Sequence, residues 1–216
     1  MTVFDSKSLA THQAIRALGS HDEPGILAAL AFAATIEDPF LRRTAMETIG
    51  RHPQGRELRT YILSGLSDRS EYVVRIACNV VMQWGLLEAH DLVLPLLTNA
   101  SVATRQSAIR TLGAIWVDSD FPLLFGIYNG DTRIAVRREA AWVLRRTVSA
   151  ATWRILFDAF RIDELARHRR WACELAERFA SAEILPALSS LLSDVDGHVR
   201  SAAGRAIEII SGRNNG

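Results

Sequence analysis

The feature that most constrains this chain is a recurrence. An arginine is followed three residues later by a small apolar residue and seven later by a larger one. The anchors are Arg42, Arg75, Arg105, Arg137, Arg169 and Arg200, separated by 33, 30, 32, 32 and 31 residues. The +3 position holds Ala45, Cys78, Ala108, Ala140, Ala172 and Ala203. The +7 position holds Ile49, Met82, Leu112, Leu144, Ala176 and Ile207. An earlier copy starts at Thr11, with Ala14 and Leu18. A period in this range is the signature of small units that stack in a row.

A spacing of four residues puts +3 and +7 on one stripe of a helix. Just ahead of the anchors lie Asp38, Asp68, Asn99, Asp131, Asp163 and Asp194, acceptors suited to the free N–H groups of a helix start. Before each of these runs a second apolar-periodic stretch, at 26–35, 58–66, 86–97, 121–128, 153–160 and 184–192. Pro24, Pro53 and Pro122 fall near the starts of such stretches, where a missing N–H costs little. No segment alternates with period two, so no sheet is expected. The expected fold is all-α: about seven stacked helix–turn–helix repeats forming an α-solenoid. It is expected as a single domain over 1–216, with a half-repeat cap at 1–20. Repeats are expected at about 21–52, 53–85, 86–117, 118–147, 148–180 and 181–216. A two-helix unit cannot bury its own apolar face, and stacking buries it against the neighbours. A small +3 residue lets adjacent helices approach, and a larger one would overpack them.

Composition narrows the class. Hydrophobic residues make up 49% and charged residues 23%, enough apolar surface to exclude wholesale disorder. The formal net charge of +1 is no global signature of a polyanion binder. The longest uncharged run, as at 24–36, is 13 residues, too short to span a bilayer. The opening MTVFDSKSLATHQ lacks the basic segment and apolar core of a secretory leader. Cys78 and Cys173 form no disulfide framework, show no metal-ligand spacing and read as small core residues. A cytoplasmic setting without membrane association is expected.

The stretches LSDVDGHVRSAA at 192–203 and NGDTRIAVRREAA at 129–141 resemble HEAT repeats of the short bacterial, PBS-lyase-like type. The resemblance runs from about Thr11 to the C-terminus. It implies that the turn Asp and the anchor Arg form a ladder between repeats, so that Arg42, Arg75, Arg105, Arg137, Arg169 and Arg200 are structural. It also implies that second helices line the concave surface.

Catalytic devices are missing. There is no HExxH, CxxC or His/Cys cluster, no Gly-rich loop before Lys-Ser/Thr and no GxSxG elbow. No catalytic residue, metal or cofactor is therefore assigned. The basic residues are 24 Arg and one Lys, and they are unevenly spread. Residues 133–170 hold ten arginines against four acids, whereas 1–132 and 171–216 are each net acidic. On the second-helix columns +1, +5 and +8 lie Arg110, Arg138, Trp142, Arg145, Arg170 and Arg205. These are the candidate binding residues of the concave face. A tryptophan between Arg138 and Arg145 has the composition of a binding hot spot. Its bland alternative is a gap-filling ring covered by arginine.

The leading expectation is a non-catalytic scaffold for a protein or peptide carrying an acidic segment. A nucleic-acid partner is the alternative. AWVLR at 141–145 is similar to the tryptophan-bearing helix of HEAT-like alkylpurine DNA glycosylases. That family places a catalytic Asp about two repeats earlier, where this chain offers Ile76, Asn79, Val80 and Gln83. The departure argues against glycosylase chemistry. A bilin-lyase-like modification factor is the second alternative. The hydroxylases built on the same repeat need paired His-Glu metal motifs that this sequence lacks.

Overall fold

A computed structural model describes residues 6–20, 23 and 25–213, with side chains from residue 10 onward. The first residues of the expected cap, His21, Pro24 and the tail 214–216 lie outside the described residues.

Among the described residues the regular structure is all helical. In chain order the α-helices are α1 (Ser6–Ala17), α2 (Ile26–Ala33), α3 (Pro39–Arg51), α4 (Arg59–Gly65), α5 (Glu71–Trp84), α6 (His90–Val93) and α7 (Val102–Ala114). They continue as α8 (Phe121–Gly130), α9 (Ile134–Thr147), α10 (Trp153–Phe160), α11 (Ala166–Phe179), α12 (Leu185–Leu191) and α13 (Gly197–Arg213). The odd-numbered helices from α3 onward carry the anchor columns, and the even-numbered ones are their partners.

The chain divides into two compact units. The first comprises 1–120 with 130–140, the second 121–129 with 141–216. In the first unit α1 packs on α3, α3 on α5 and α5 on α7, with α2 against α3 and α4 against α5. In the second, α11 packs on α13, with α10 against α11 and α12 against α13. The +3 column explains this arrangement, because Ala45, Cys78, Ala108, Ala140, Ala172 and Ala203 are all fully buried. Small side chains at that column let helix axes come close without a void.

Two details depart from the sequence expectation. The stretch 86–97 is not one helix. The four-residue α6 stands between 3-10 segments at Leu87–Ala89 and Leu94–Thr98. Pro95 lacks the N–H that a continuing α-helix would need there. The turn residues are also displaced from the caps assigned to them. Only Asp38 caps its helix directly, accepting from the N–H groups of Phe40 and Leu41. Asp68, Asn99, Asp131, Asp163 and Asp194 instead accept from the N–H two residues on, belonging to Ser70, Ser101, Arg133, Leu165 and Asp196. They fold the turn that leads into each helix. Ser101 and Asp196 supply the side-chain caps of α7 and α13.

Candidate binding faces of the second helices

Several anchor arginines make one repeated set of contacts, to their own turn and to the next. Arg42, Arg105 and Arg169 sit four residues past the caps Asp38, Ser101 and Leu165. From that station one end of each guanidinium bonds carbonyls of its own turn. Arg42 Nη1 meets the Ile36 and Glu37 oxygens at 2.9 and 2.6 Å. Arg105 Nη1 meets those of Asn99 and Ala100 at 2.8 and 3.2 Å. Arg169 Nη1 meets those of Asp163 and Glu164 at 2.9 and 3.1 Å. Arg137 and Arg200 do the same with the carbonyls of Asp131 and Asp194.

The other end crosses to the next turn. Arg42 grips Asp68 by two bonds of 2.8 Å, Arg105 grips Asp131 at 2.9 and 3.1 Å, and Arg169 grips Asp194 at 2.6 and 2.8 Å. These bidentate, charge-assisted pairs fix the spacing between repeats. The Arg169 guanidinium holds the Asp194 carboxyl below its usual range. Burial is the largest single influence on Asp68 and Asp131 and opposes their charge, but the bonds from Arg42 and Arg105, those from the Ser70 and Arg133 N–H groups and the nearby arginine charges together lower both.

Arg75 has a different place. The cap of α5 is Ser70, so the ladder station four residues on falls on Val74, which is 4% exposed. The receiving position in the next turn is Asn99 rather than an aspartate. Both halves of one rung are thus neutral together. Arg75, one residue further, stands with Arg43 in the next column. The same shift carries Met82 off the buried stripe to 37% exposure, and Val81 fills the core position instead. The spacings of 33 and 30 around Arg75 mark this offset in the sequence, because 42 to 74 and 74 to 105 restore the common period.

Arg75 faces a cavity of about 410 Å³ lined by Arg43, Tyr72, Arg75, Ile76, Asn79, Ser107 and Arg110, all within the first unit. The Arg75 guanidinium lies 5.1 Å from the Tyr72 ring centre, and its Nε is buried without a hydrogen-bond partner. Arg110 reaches Glu139 at 3.0 Å and the Ser107 hydroxyl at 3.4 Å.

In the second unit the same columns carry Trp142, Arg145, Arg170 and Arg205. Trp142 is 38% exposed, and the arginine over its ring is Arg146, 4.5 Å from the ring centre. Arg145 is engaged elsewhere. Its Nε bonds Glu174 at 3.0 Å, and its guanidinium lies 5.1 Å from the ring centre of Trp171. Arg170 shares Glu174 at 3.5 Å. Arg205 is exposed, as is Arg138 in the first unit, and neither has an ion-pair partner among the described residues. Arg146 was not legible as a ring partner from the column pattern, although the i,i+4 spacing from Trp142 permits it.

A half-buried carboxylate, Asp163, and a buried one, Asp120, complete the electrostatics. Asp163 accepts from the Tyr128 hydroxyl and from Leu165 N–H, with His168 Nδ1 at 3.0 Å. Burial works against its charge, but these partners outweigh it and hold the carboxyl down at about 2. His168 is enclosed by Phe160 and Trp171, with ring centres 5.4 and 5.0 Å away. In the first unit His90 Nε2 lies 2.9 and 3.1 Å from the two Asp120 oxygens. Burial opposes its protonation, yet Asp91 and Asp120 raise its pKa. Cys78 and Cys173 are buried and free, their thiols pushed up by burial to about 11 and about 12. Among the described residues no group of His, Cys, Asp and Glu is arranged to hold a metal, and no helix is long and apolar enough to cross a membrane.

The family model for HEAT repeats matches residues 59–145. No curated protein matches the sequence significantly. Among solved structures, an engineered protein aligns with TM-score 0.60 at 16% identity over 97% of this chain and 66% of its own. A chain of the complex of CpcE and CpcF of phycocyanin lyase from Nostoc sp. PCC7120 aligns with TM-score 0.55 at 18% identity, covering 96% of this chain and 91% of that one. The archaeal HEAT-like repeats protein from Thermococcus onnurineus NA1 aligns with TM-score 0.56 at 12% identity, covering 94% and 92%. At these identities the likeness is one of fold.

Proposed function

We propose that this chain, a HEAT-repeat protein, is a non-catalytic interaction scaffold for a protein or peptide partner with an acidic segment. The partner docks on the solvent-facing columns of the second helices. The observation that supports the reading is the 38% exposure of Trp142, which a ring filling a gap in the packing would not keep; the Arg146 guanidinium lies 4.5 Å from its centre. An aromatic ring with a cation laid on it offers large, rigid contact area beside a charge, the composition of an interface anchor. Repeat stacks present such columns on neighbouring helices and suit extended partners.

The nucleic-acid reading has less support than the charge count gives it. Within the basic block, Arg145, Arg154, Arg161, Arg169 and Arg170 already face Glu174, Asp158 or Asp194. The likeness to a phycocyanin lyase chain carries the fold and no reaction.

The test is fluorescence anisotropy with a labelled Glu/Asp-rich peptide, a neutral peptide of equal length and single-stranded DNA, at low and physiological salt. The acidic peptide binds, and Trp142→Ala weakens it by about 30-fold, the size of a hot-spot loss. Unchanged peptide affinity in Trp142→Ala contradicts the placement. DNA binding tighter than peptide binding, with a steep salt slope, contradicts the partner class.

A further inference from the structure

We infer that the arginine-lined cavity of the first unit is a binding site for a dianionic phosphate group. This goes beyond the scaffold reading: the cavity lies in the first unit, uses neither Trp142 nor Arg146, and shares only Arg110 with the residues assigned to that reading. Three observations carry it.

The first is charge. Arg43, Arg75 and Arg110 line one cavity of about 410 Å³, and no carboxylate is among its lining residues. Of the three, only Arg110 has an acidic partner, Glu139. Arg43 and Arg75 have none among the described residues. Glu139 neutralises one guanidinium, so two positive charges stay unmatched, the complement of a dianion.

The second is donor supply. Arg75 Nε is buried with no acceptor, a costly state for a guanidinium N–H unless a ligand meets it. Asn79 and Ser107 add an amide and a hydroxyl to the lining. Together with three guanidinium groups these outnumber the two oxygens of a carboxylate. A phosphate monoester, with three terminal oxygens and a charge of about −2 above its second pKa near 6, uses them better. Arginine is the residue suited to this planar, multi-bond recognition.

The third is release from structural duty. In Arg42, Arg105 and Arg169 the guanidinium is filled by carbonyls on one end and a carboxylate on the other. Val74 and Asn99 occupy the corresponding rung here, so Arg75 holds no repeat in place. Its ring contact with Tyr72, itself stacked on Phe40 at 6.2 Å, fixes the guanidinium at the cavity wall. The cavity is of a size that takes small ligands. It accepts a phosphate borne either by a small molecule or by a side chain of a partner segment.

Calorimetric titration of the full chain decides the matter. The probes are inorganic phosphate, glycerol 3-phosphate and a phosphoserine peptide, with succinate as the dicarboxylate comparator, at pH 8 and constant ionic strength. Phosphate-bearing probes bind more tightly than succinate, and the affinity of the two monoesters falls as the pH is lowered through their second phosphate pKa near 6. Arg75→Ala and Arg43→Ala each weaken binding by about tenfold or more, as does Asn79→Asp, which places a carboxylate among the donors. Arg16→Ala, an exposed charge loss away from the cavity, leaves affinity unchanged. Tighter binding of glycerol 3-phosphate assigns the site to a small molecule, and tighter binding of the phosphopeptide to a partner segment. No binding of any phosphate at millimolar concentration overturns the proposal. So does succinate binding as tightly as phosphate, or an equal loss in Arg16→Ala.

Discussion

The two units place arginines on the same columns of their second helices and use them differently. In the second unit Arg145 and Arg170 converge on Glu174, and Arg145 also covers the buried Trp171. Those two charges are spent within the fold, although they lie in the most basic stretch of the sequence. In the first unit, Arg43 and Arg75 keep their charge for a cavity, in a segment whose net charge is negative. Local pairing, not local composition, decides where cationic surface is available. A lone rung that is neutral on both sides, Val74 with Asn99, is what frees Arg75 for that role.

The largest effects should come from the bidentate Arg–Asp pairs. Arg42→Ala or Arg169→Ala strips a bidentate partner from a largely buried aspartate, and each should cost about 2–3 kcal/mol in urea unfolding. Arg75→Ala should cost under about 0.5 kcal/mol, the usual figure for a substitution outside such features. An equal cost for Arg75→Ala would return it to the ladder.

Rebuilding the missing rung sharpens the contrast. Val74→Arg alone buries an unpaired charge and destabilises, whereas Val74→Arg with Asn99→Asp should recover about 1 kcal/mol or more of that loss in a double-mutant cycle. A coupling near zero would mean that the turn geometry at Asn99 differs from that at Asp68.

The units also respond oppositely to pH. Asp163 has its folded pKa lowered to about 2, so its contribution is present above the ordinary carboxylate range and is lost as pH falls through about 2. Tyr128→Phe should therefore flatten the acid limb of the stability curve between about pH 4 and 2. His90 has a raised folded pKa. Its contribution is complete below the ordinary histidine value near 6.5 and is lost as pH rises through the raised value. His90→Gln should remove that neutral-range slope.

The smallest effect is a rate. Cys78 and Cys173 occupy equivalent buried columns, one in each unit, with thiols at about 11 and about 12. Neither should react with a maleimide at pH 7.5 on the time scale of a free thiol. Their separate labelling rates in mild denaturant report the opening of each unit. Fast labelling of either in buffer would mean that its column is open in the native state.

The fold was legible because its signals were local and repeated. Small residues at +3 and a turn Asp or Asn ahead of each second helix state the architecture at every repeat, and the structure follows them from α3 to α13. The ladder station in α5 was misread because Arg75 stands next to Val74 and an arginine was expected in every copy. The irregular spacings of 33 and 30 residues carried the correction. The cavity was not legible, since Arg43, Arg75 and Arg110 meet only through the packing of α3, α5 and α7. The arginine that covers Trp142 was not legible. Column position put Arg138 and Arg145 beside it, whereas the ring contact is with Arg146, and Arg145 is drawn to Glu174 across the helix pair.

The arginines that bridge turns and those that line the cavity are separate sets. Arginine Nε–H resonances of the isotope-labelled chain, followed during titration with inorganic phosphate at pH 8, test that separation directly. The Arg75 resonance should move in a saturable way while those of Arg42, Arg105 and Arg169 stay in place. A motionless Arg75 resonance, or a common shift of all four, would contradict it.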